Sequence, residues 1–242
     1  FQGTWTESLQ KVFTGAADRI SKLITADIPN VTVSGIGAVD DIVISARLAT
    51  IDGVGGILGS AGPTAIRANG YLPAAAQMQF DSADASAYNT MGLFDEIVTH
   101  EMLHSVGIGT IWGLKGLTSG FNYTGKNAVA TFNSLVDAYK ASHKGGLTLS
   151  DGIVLKPGAI PLETGGGNGT AGSHWSEAVF GSELMTGYID SNNYATNASG
   201  AITDPLSAMT VAALKDLGYA TAAATSPAVD AYKLVDHPNS FG

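Results

Sequence analysis

Two histidines and a glutamate in one short stretch have the types and spacing of a metal-dependent hydrolase site. His100, Glu101 and His104 form the pattern H-E-x-x-H, and Gly107 follows it. On an α-helix, residues four apart lie on the same face, so the two imidazoles would point at a common centre. Imidazole nitrogens bind Zn²⁺, and the glutamate can act as a general base toward a metal-activated water. The stretch thus supplies two candidate ligands and a candidate base, and a third protein ligand must come from elsewhere.

The third ligand is not at the position that the most compact form of the motif would require. An H-E-x-x-H-x-x-G-x-x-H pattern would need a histidine where this chain has Thr110. The chain contains no cysteine, which excludes a thiolate ligand. A glutamate from a following helix is another known arrangement. The later carboxylates form no convincing two-helix pattern with the motif; they are Asp137, Glu163, Glu177 and Glu183.

His174 is the best remaining candidate for the third ligand. His143 lies in a stretch typical of an exposed helix end, where a cation suits the helix dipole, and His237 lies near the C-terminus. A lone histidine usually has no metal role. Met185 follows His174 and supplies a second feature, so we favour His174 as the ligand, at the far end of a long insertion after His104.

These residues resemble the leishmanolysin family of metzincin zinc metalloproteases. Members of that family have a long insertion between the glycine of the motif and the third histidine, and then a methionine in a tight turn. The stretches that carry the resemblance are residues 100–107, 173–175, 183–185, 206–210 and 216–219, together with residues 61–63 and 80–84, which look similar to bacterial members. Because the chain has no cysteine, it looks like a compact bacterial relative without the disulfides of eukaryotic members.

The resemblance implies the activity and the roles of the site residues. It implies one catalytic Zn²⁺ bound by His100, His104 and His174, with Glu101 as the general base of peptide-bond hydrolysis. It places Met185 beneath the ligands as an apolar floor. It also implies that the substrate, a protein or peptide, lies extended along an edge strand. We therefore expect a zinc metalloendopeptidase.

Composition and charge narrow the choice of partners and location. The formal net charge of −9 argues against nucleic acid or an anionic membrane surface as a partner, since both attract basic patches. No apolar run reaches the roughly 18 residues of a membrane span. Calcium is conceivable at Asp81 and Asp84, but turn capping is the simpler interpretation of these residues. We expect a monomer that is secreted or extracellular, or else periplasmic or cell-surface.

The N-terminal part of the chain predicts a sheet with helices packed on it. Thr4 and Glu7 fit a capping box at the start of an amphipathic helix that ends near Thr25. A central, buried helix that carries the motif is predicted over residues 90–106, closed by Gly107 in the left-handed conformation. Strands are predicted over residues 31–33, 42–49 and 74–80, and residues 57–62 and 64–67 are extended candidates, one of them an edge strand.

The C-terminal part is predicted to be richer in loops. A helix is expected over residues 128–142, and the glycine-rich run at 165–169 is interpreted as a loop because it lacks the residues of a phosphate-binding motif. A last helix should begin with Asp204 as N-cap and end at Gly218. We predict one α+β catalytic domain, a metzincin-like zincin spanning residues 1–242. Its N-terminal lobe, about residues 1–107, has a twisted mixed sheet with a backing helix and the active-site helix, and its C-terminal lobe covers about residues 108–242.

Two other functions remain open from the sequence alone. A non-catalytic secreted binding domain could use zinc structurally, but a structural site normally has four protein ligands, and only three are well placed here. A metal-dependent amidase acting on a non-peptide amide would show the same motif. Tyr188 could assist by stabilising developing negative charge, although an ordinary structural tyrosine is the simpler interpretation.

Overall fold

The structure combines helices with a mixed sheet, as the α+β prediction requires. The computed structural model describes residues 1–142, 155–189 and 204–234. Six helices lie within these ranges, and the largest sheet has both parallel and antiparallel strand pairs. His143 and His237, which were weighed as ligands, lie outside the described residues. None of the helices in the described ranges is long and apolar enough to span a membrane.

Helix α1 (Glu7–Leu23) is the predicted amphipathic backing helix. It buries one side, made of Leu9, Phe13, Ala16, Ile20 and Leu23. The predicted N-cap is wrong, because Thr6 rather than Thr4 caps the helix. The backbone of Thr6 is extended, and its hydroxyl accepts a hydrogen bond from the N–H of Leu9. That geometry is what an N-cap needs, and it makes Glu7 the first helical residue instead of the third.

A three-stranded sheet lies at the centre of the N-terminal part. Strand β3 (Val43–Ala49) runs parallel to β5 (Pro73–Asp81), and β4 (Gly59–Ile66) runs antiparallel to β5 on its other side. Strand β5 is therefore central and largely buried, while β4 lies at an edge, which confirms the predicted edge strand in this region. The two extended candidates form this one strand. Strands β1 (Val31–Val33) and β2 (Gly37–Val39) form a separate hairpin.

The prediction of a single helix over residues 90–106 is wrong near its start, where the structure has a break between two helices. The structure has two helices, α2 (Ala85–Met91) and α3 (Phe94–Ser105). Gly92 lies between them with φ +74°, a left-handed conformation that glycine adopts at little cost and that ends an α-helix. Helix α3 is buried on most of its circumference, as predicted, and it packs against α1 and β4.

Within the described residues, the C-terminal part has short strands and three helices joined by loops. Strands β6 (Asn122–Tyr123) and β7 (Ile160–Pro161) pair with each other, and α4 (Lys126–Ser142) packs against α6 (Ala208–Leu217). A single-turn helix, α5 (Glu177–Phe180), follows the segment that carries His174.

The last helix, α6, begins later than predicted. Its N-cap is Ser207 and not Asp204, because the hydroxyl of Ser207 accepts from the N–H of Thr210. At the other end, Gly218 closes the helix with φ +109°, as predicted.

Candidate metal centre

Three imidazoles from two distant parts of the chain meet at one point. Helix α3 carries His100 and His104 one turn apart, and the loop before α5 brings in His174. Their Nε2 atoms are 2.9 Å apart for His100–His104, 2.9 Å for His104–His174 and 3.1 Å for His100–His174. The structure thus brings together the three histidines that the sequence selected.

The outer nitrogen of each ring determines its tautomer. The Nδ1 atoms of His100, His104 and His174 lie 2.7, 2.8 and 3.0 Å from the backbone carbonyls of Leu184, Ile108 and Thr170, in that order. A carbonyl oxygen can only accept, so each Nδ1 carries the proton and each Nε2 presents a lone pair. Three lone pairs aimed at one another repel unless a cation lies between them. The hydrogen bond from each Nδ1 to a backbone carbonyl is the usual outer shell of metal-binding histidines.

Burial keeps the three rings neutral. It lowers the pKa of His100 to about 3, with a further contribution from nearby His174. Burial likewise lowers the pKa of His104 and of His174. A neutral imidazole is the form that binds a metal ion, so the environment of the rings favours the ligand form over a wide pH range.

The donor set fits zinc. Zn²⁺ binds imidazole nitrogen at about 2.0–2.1 Å, and tetrahedral geometry at that bond length separates the ligand nitrogens by roughly 3.3 Å. The observed separations fall a few tenths of an ångström short of this value. The site also opens on a cleft of about 640 Å³ lined by the three histidines and Glu101. Three protein ligands beside an open cleft are characteristic of catalytic rather than structural zinc sites.

Glu101 lies in the same cleft and is almost fully buried, with 5% of its surface exposed. Burial raises the pKa of its carboxyl group to about 8. Its Oε2 atom has no hydrogen-bond partner among the described residues. The edge strand β4 covers the other side of this carboxylate, because a Cβ atom at Gly59 would lie only 2.9 Å from Oε1. The buried, unpaired oxygen is therefore available to a water or substrate group in the cleft.

The turn after α3 positions the second histidine. Gly107 has φ +113°, which confirms the left-handed conformation predicted for it. The chain then folds back so that the Ile108 carbonyl meets His104 Nδ1. Thr110, at the position where a compact motif would have its third histidine, donates its hydroxyl to the carbonyl of His104 at 2.8 Å and lines the cleft.

The turn around Met185 contacts His100 on helix α3 and the segment that carries His174. The Leu184 carbonyl accepts from His100, and the Met185 carbonyl accepts from the N–H of Trp175, the neighbour of His174. Met185 itself is fully buried. The carboxylate of Glu183 binds the N–H of Met185 and the hydroxyls of Ser207 and Thr210. Sequence reasoning weighed Glu183 only as a possible ligand and missed this bracing role, for which no local pattern exists.

A loop held by hydrogen bonds to two aspartates forms part of the wall of the cleft. Asp81 accepts hydrogen bonds from the N–H groups of Ile51, Asp52, Gly53 and Ala83, and Asp84 accepts from Gly55. These bonds lower the pKa of Asp81 to about 2. Both aspartates therefore cap turns, as the sequence predicted. Tyr188 lines the cleft from another side and is about half exposed.

These elements define a metallopeptidase: a helix bearing H-E-x-x-H, a third histidine from a distant loop, and an open cleft beside an edge strand. The family model for leishmanolysin matches residues 12–229, and the chain belongs to this family of peptidases. The family is zinc-dependent, and the resemblance stated from the motifs is confirmed. In a separate comparison, no curated protein matched the chain.

Proposed function

We propose that this protein is a zinc-dependent endopeptidase of the metzincin type. His100, His104 and His174 are the metal ligands, and Glu101 is the general base. The observation that carries the proposal is the convergence of three Nε2 lone pairs, 2.9–3.1 Å apart, at the wall of an open cleft. A buried carboxylate lies next to them, and the chain belongs to a family of zinc peptidases.

The proposed mechanism assigns one proton relay to Glu101. Zinc, when bound, supplies a Lewis acid that polarises a carbonyl group and lowers the pKa of water. Glu101 accepts a proton from the attacking water and later donates it to the nitrogen of the leaving amine. Burial raises the pKa of this carboxyl group, so Glu101 holds the transferred proton more strongly than an exposed glutamate would.

We propose that the substrate adds a strand to the sheet. Among the described residues, strand β4 pairs with β5 on one side only, and Gly59, Ser60 and Ala61 on this strand line the cleft. The free side of an edge strand presents backbone N–H and C=O groups that an extended peptide can match. In this arrangement the scissile bond lies between β4 and the histidines, and Met185 forms an apolar floor under the ligands.

We also propose that the chain is a single catalytic domain that works as a monomer outside the cell. The leishmanolysin family, whose members are often extracellular or surface-bound, supports the location. Light scattering of the purified protein at micromolar concentration tests the oligomeric state, and a stable dimer would contradict the proposal. Activity in culture medium after expression in the source cells tests the location, and activity confined to the cell interior would contradict it.

Glu101→Ala tests the base and the metal site separately. We expect one zinc per chain in both wild type and variant, and loss of casein cleavage in the variant by about a thousandfold or more, because general acid–base groups supply about 10²–10⁴-fold. Metal analysis and a fluorescent casein assay measure the two effects. Loss of zinc in Glu101→Ala, or undiminished cleavage, would contradict the role given to Glu101.

His174→Ala tests the third ligand, with His143→Ala as its matched control. We expect the first variant to lose tight zinc binding, since two imidazoles alone make a weak site. The second variant should keep both zinc and activity. Isothermal titration of the metal-free proteins with zinc measures the difference, and the reverse pattern would show that the third ligand is misassigned.

A further inference from the structure

One peptide group links a buried carboxylate to a candidate zinc ligand. The carbonyl of Leu184 accepts a hydrogen bond from Nδ1 of His100 at 2.7 Å. The N–H of the same peptide group, on Met185, donates to Oε2 of Glu183 at 2.6 Å. We propose that Glu183 is a positioning residue that acts on His100 through this peptide group. The inference rests on the proposed function, in which His100 binds zinc.

The surroundings of Glu183 suit a carboxylate rather than a neutral acid. Four donors reach its two oxygens: the N–H of Met185, the N–H of Ser207, and the hydroxyls of Ser207 and Thr210. Three of these donors bind Oε1 and one binds Oε2, so acceptors are needed at both oxygens, as an ionised carboxylate provides. Burial raises the pKa of this group, and the same hydrogen bonds oppose that shift. Glu183 is fully buried, so little solvent weakens these interactions.

Hydrogen bonds at the two ends of a peptide group strengthen each other. The carboxylate at the N–H end draws positive charge toward itself and increases the electron density on the Leu184 oxygen, more so because the site is shielded from water. That oxygen then holds the Nδ1–H group of His100 more firmly. A firmer bond at Nδ1 fixes the plane of the ring and makes Nε2 a more basic ligand.

The other histidines provide a comparison within the same molecule. His174 donates to the carbonyl of Thr170, whose peptide N–H belongs to Ala171 and binds the neutral carbonyl of Gly167. His104 donates to the carbonyl of Ile108 in the turn after α3. Only the His100 partner is shown with a carboxylate behind it among the described residues. An effect that passes through the peptide group should therefore change His100 and leave the other two rings unchanged.

Glu183→Gln isolates this contact. The glutamine oxygen can keep the three bonds to Ser207 and Thr210, which places its NH₂ group against the N–H of Met185, where two donors oppose each other. In histidine-selective ¹H–¹⁵N NMR of the zinc-loaded protein, we expect the Nδ1–H resonance of His100 alone to move upfield. We also expect zinc to dissociate about 10-fold faster or more, because loss of such outer-shell groups lowers metal affinity by about 10- to 100-fold.

Asp216→Asn is the matched control. Asp216 also holds four donors, namely the hydroxyl of Tyr123, the N–H groups of Asn127 and Ala128, and the side-chain amide of Asn127. The control variant should lose thermal stability comparable to that of Glu183→Gln. It should leave all three Nδ1–H resonances and the rate of zinc dissociation unchanged.

Each outcome decides between the proposals. An unmoved His100 resonance, equal shifts of all three rings, or equally fast zinc loss in Asp216→Asn would overturn the role of Glu183. If Glu183→Gln does not fold, Glu183→Asp keeps the charge on a shorter arm, and the same selective shift of His100 is expected. A wild-type protein that binds no zinc would contradict the proposed function itself, whereas zinc binding with an insensitive His100 contradicts only this inference.

Discussion

At the scale of single residues, backbone groups and a glycine determine how the polar side chains of the candidate site are placed. The orientation of each histidine is set by a backbone carbonyl, and the space for Glu101 is set by the missing side chain of Gly59. The close approach of Gly59 to Glu101 leaves no room for even one methyl group, so a larger residue at position 59 would be poorly tolerated. Gly59 is therefore as constrained in its residue type as the candidate base, Glu101, that it contacts.

Gly59→Ala should impair catalysis while sparing metal binding. The new Cβ atom would lie 2.9 Å from Oε1 and 3.1 Å from Cδ of Glu101, so the carboxylate must shift. Because a displacement of about 1 Å can reduce the rate by about 100-fold, we expect kcat to fall by about 10- to 100-fold with zinc retained. Steady-state kinetics and metal analysis measure both quantities.

Gly62→Ala on the same strand is the control for that variant. Its Cβ atom would meet only a methyl group of Thr110, at the ordinary contact distance of 3.8 Å. We expect kcat within about twofold of wild type, as for most substitutions that introduce no clash. Equal losses of kcat in the two variants would show that the strand, and not its contact with Glu101, is sensitive.

At the scale of secondary-structure elements, the loop between β3 and β4 is held by carboxylates instead of by a core. Asp81 accepts hydrogen bonds from three backbone N–H groups of this loop, and Asp84 accepts one from a fourth. The loop borders the cleft at Gly55, Gly56 and Ile57. A loop that is already ordered loses little entropy when a substrate binds, so the hydrogen bonds of Asp81 and Asp84 favour substrate binding.

Asp81→Asn should loosen the loop and weaken substrate binding. An asparagine oxygen lacks the charge that the four N–H groups stabilise, and its NH₂ group would oppose some of them. We expect faster hydrogen exchange at Ile51, Asp52 and Gly53 and a rise in KM of about 5- to 30-fold, which corresponds to the cost of about 1–2 kcal/mol for ordering one loop residue. Asp18→Asn on the exposed side of α1 should change neither.

The hydrogen bonds of Asp81 also predict that the order of this loop depends on pH. The pKa of Asp81 is lowered to about 2 in the folded protein, whereas an aspartate in an unfolded chain titrates near 3.9. The stabilisation is therefore fully present above about pH 4 and is lost as the pH falls toward 2. The protection of the loop N–H groups against hydrogen exchange should fall over that window in wild type, and Asp81→Asn should remove this step.

At the scale of the whole molecule, the candidate metal site joins two parts of the chain. His100 and His104 come from a helix packed on the sheet, and His174 comes from a loop braced by α6 through Trp175 and Thr210. A ligand that binds only the folded state stabilises it by mass action. The metal should therefore act as a cross-link between the N-terminal and C-terminal parts.

Removal of zinc by a chelator should lower the thermal midpoint of the protein. At a zinc concentration about 1,000 times the dissociation constant, the expected stabilisation is about 4 kcal/mol. Differential scanning calorimetry with and without zinc measures the shift. His174→Ala should abolish the shift and His143→Ala should preserve it; a zinc-dependent shift that survives in His174→Ala would place the ion elsewhere.

The sequence alone determined the features that depend on near neighbours. The spacing of His100 and His104, the helix that carries them and the turn at Gly107 follow from helix periodicity and from the conformational freedom of glycine. The choice of His174 needed the resemblance to a family, because no local pattern connects it to the motif. The errors at Thr4, Asp204 and the 90–106 helix concern element boundaries, where several polar residues or glycines compete for one role.

Only the tertiary structure decided how the site is held. The carbonyl that orients His100, the contact of Gly59 with Glu101, and the peptide group between Glu183 and His100 connect residues far apart in the chain, whereas the carbonyls that orient His104 and His174 lie only four residues away. Hydrogen bonds of this kind depend on backbone positions that every residue type shares, so they leave no signature in the sequence. The residue types therefore predicted which chemistry is available, and the packing of the chain decided which atoms are placed to carry it out.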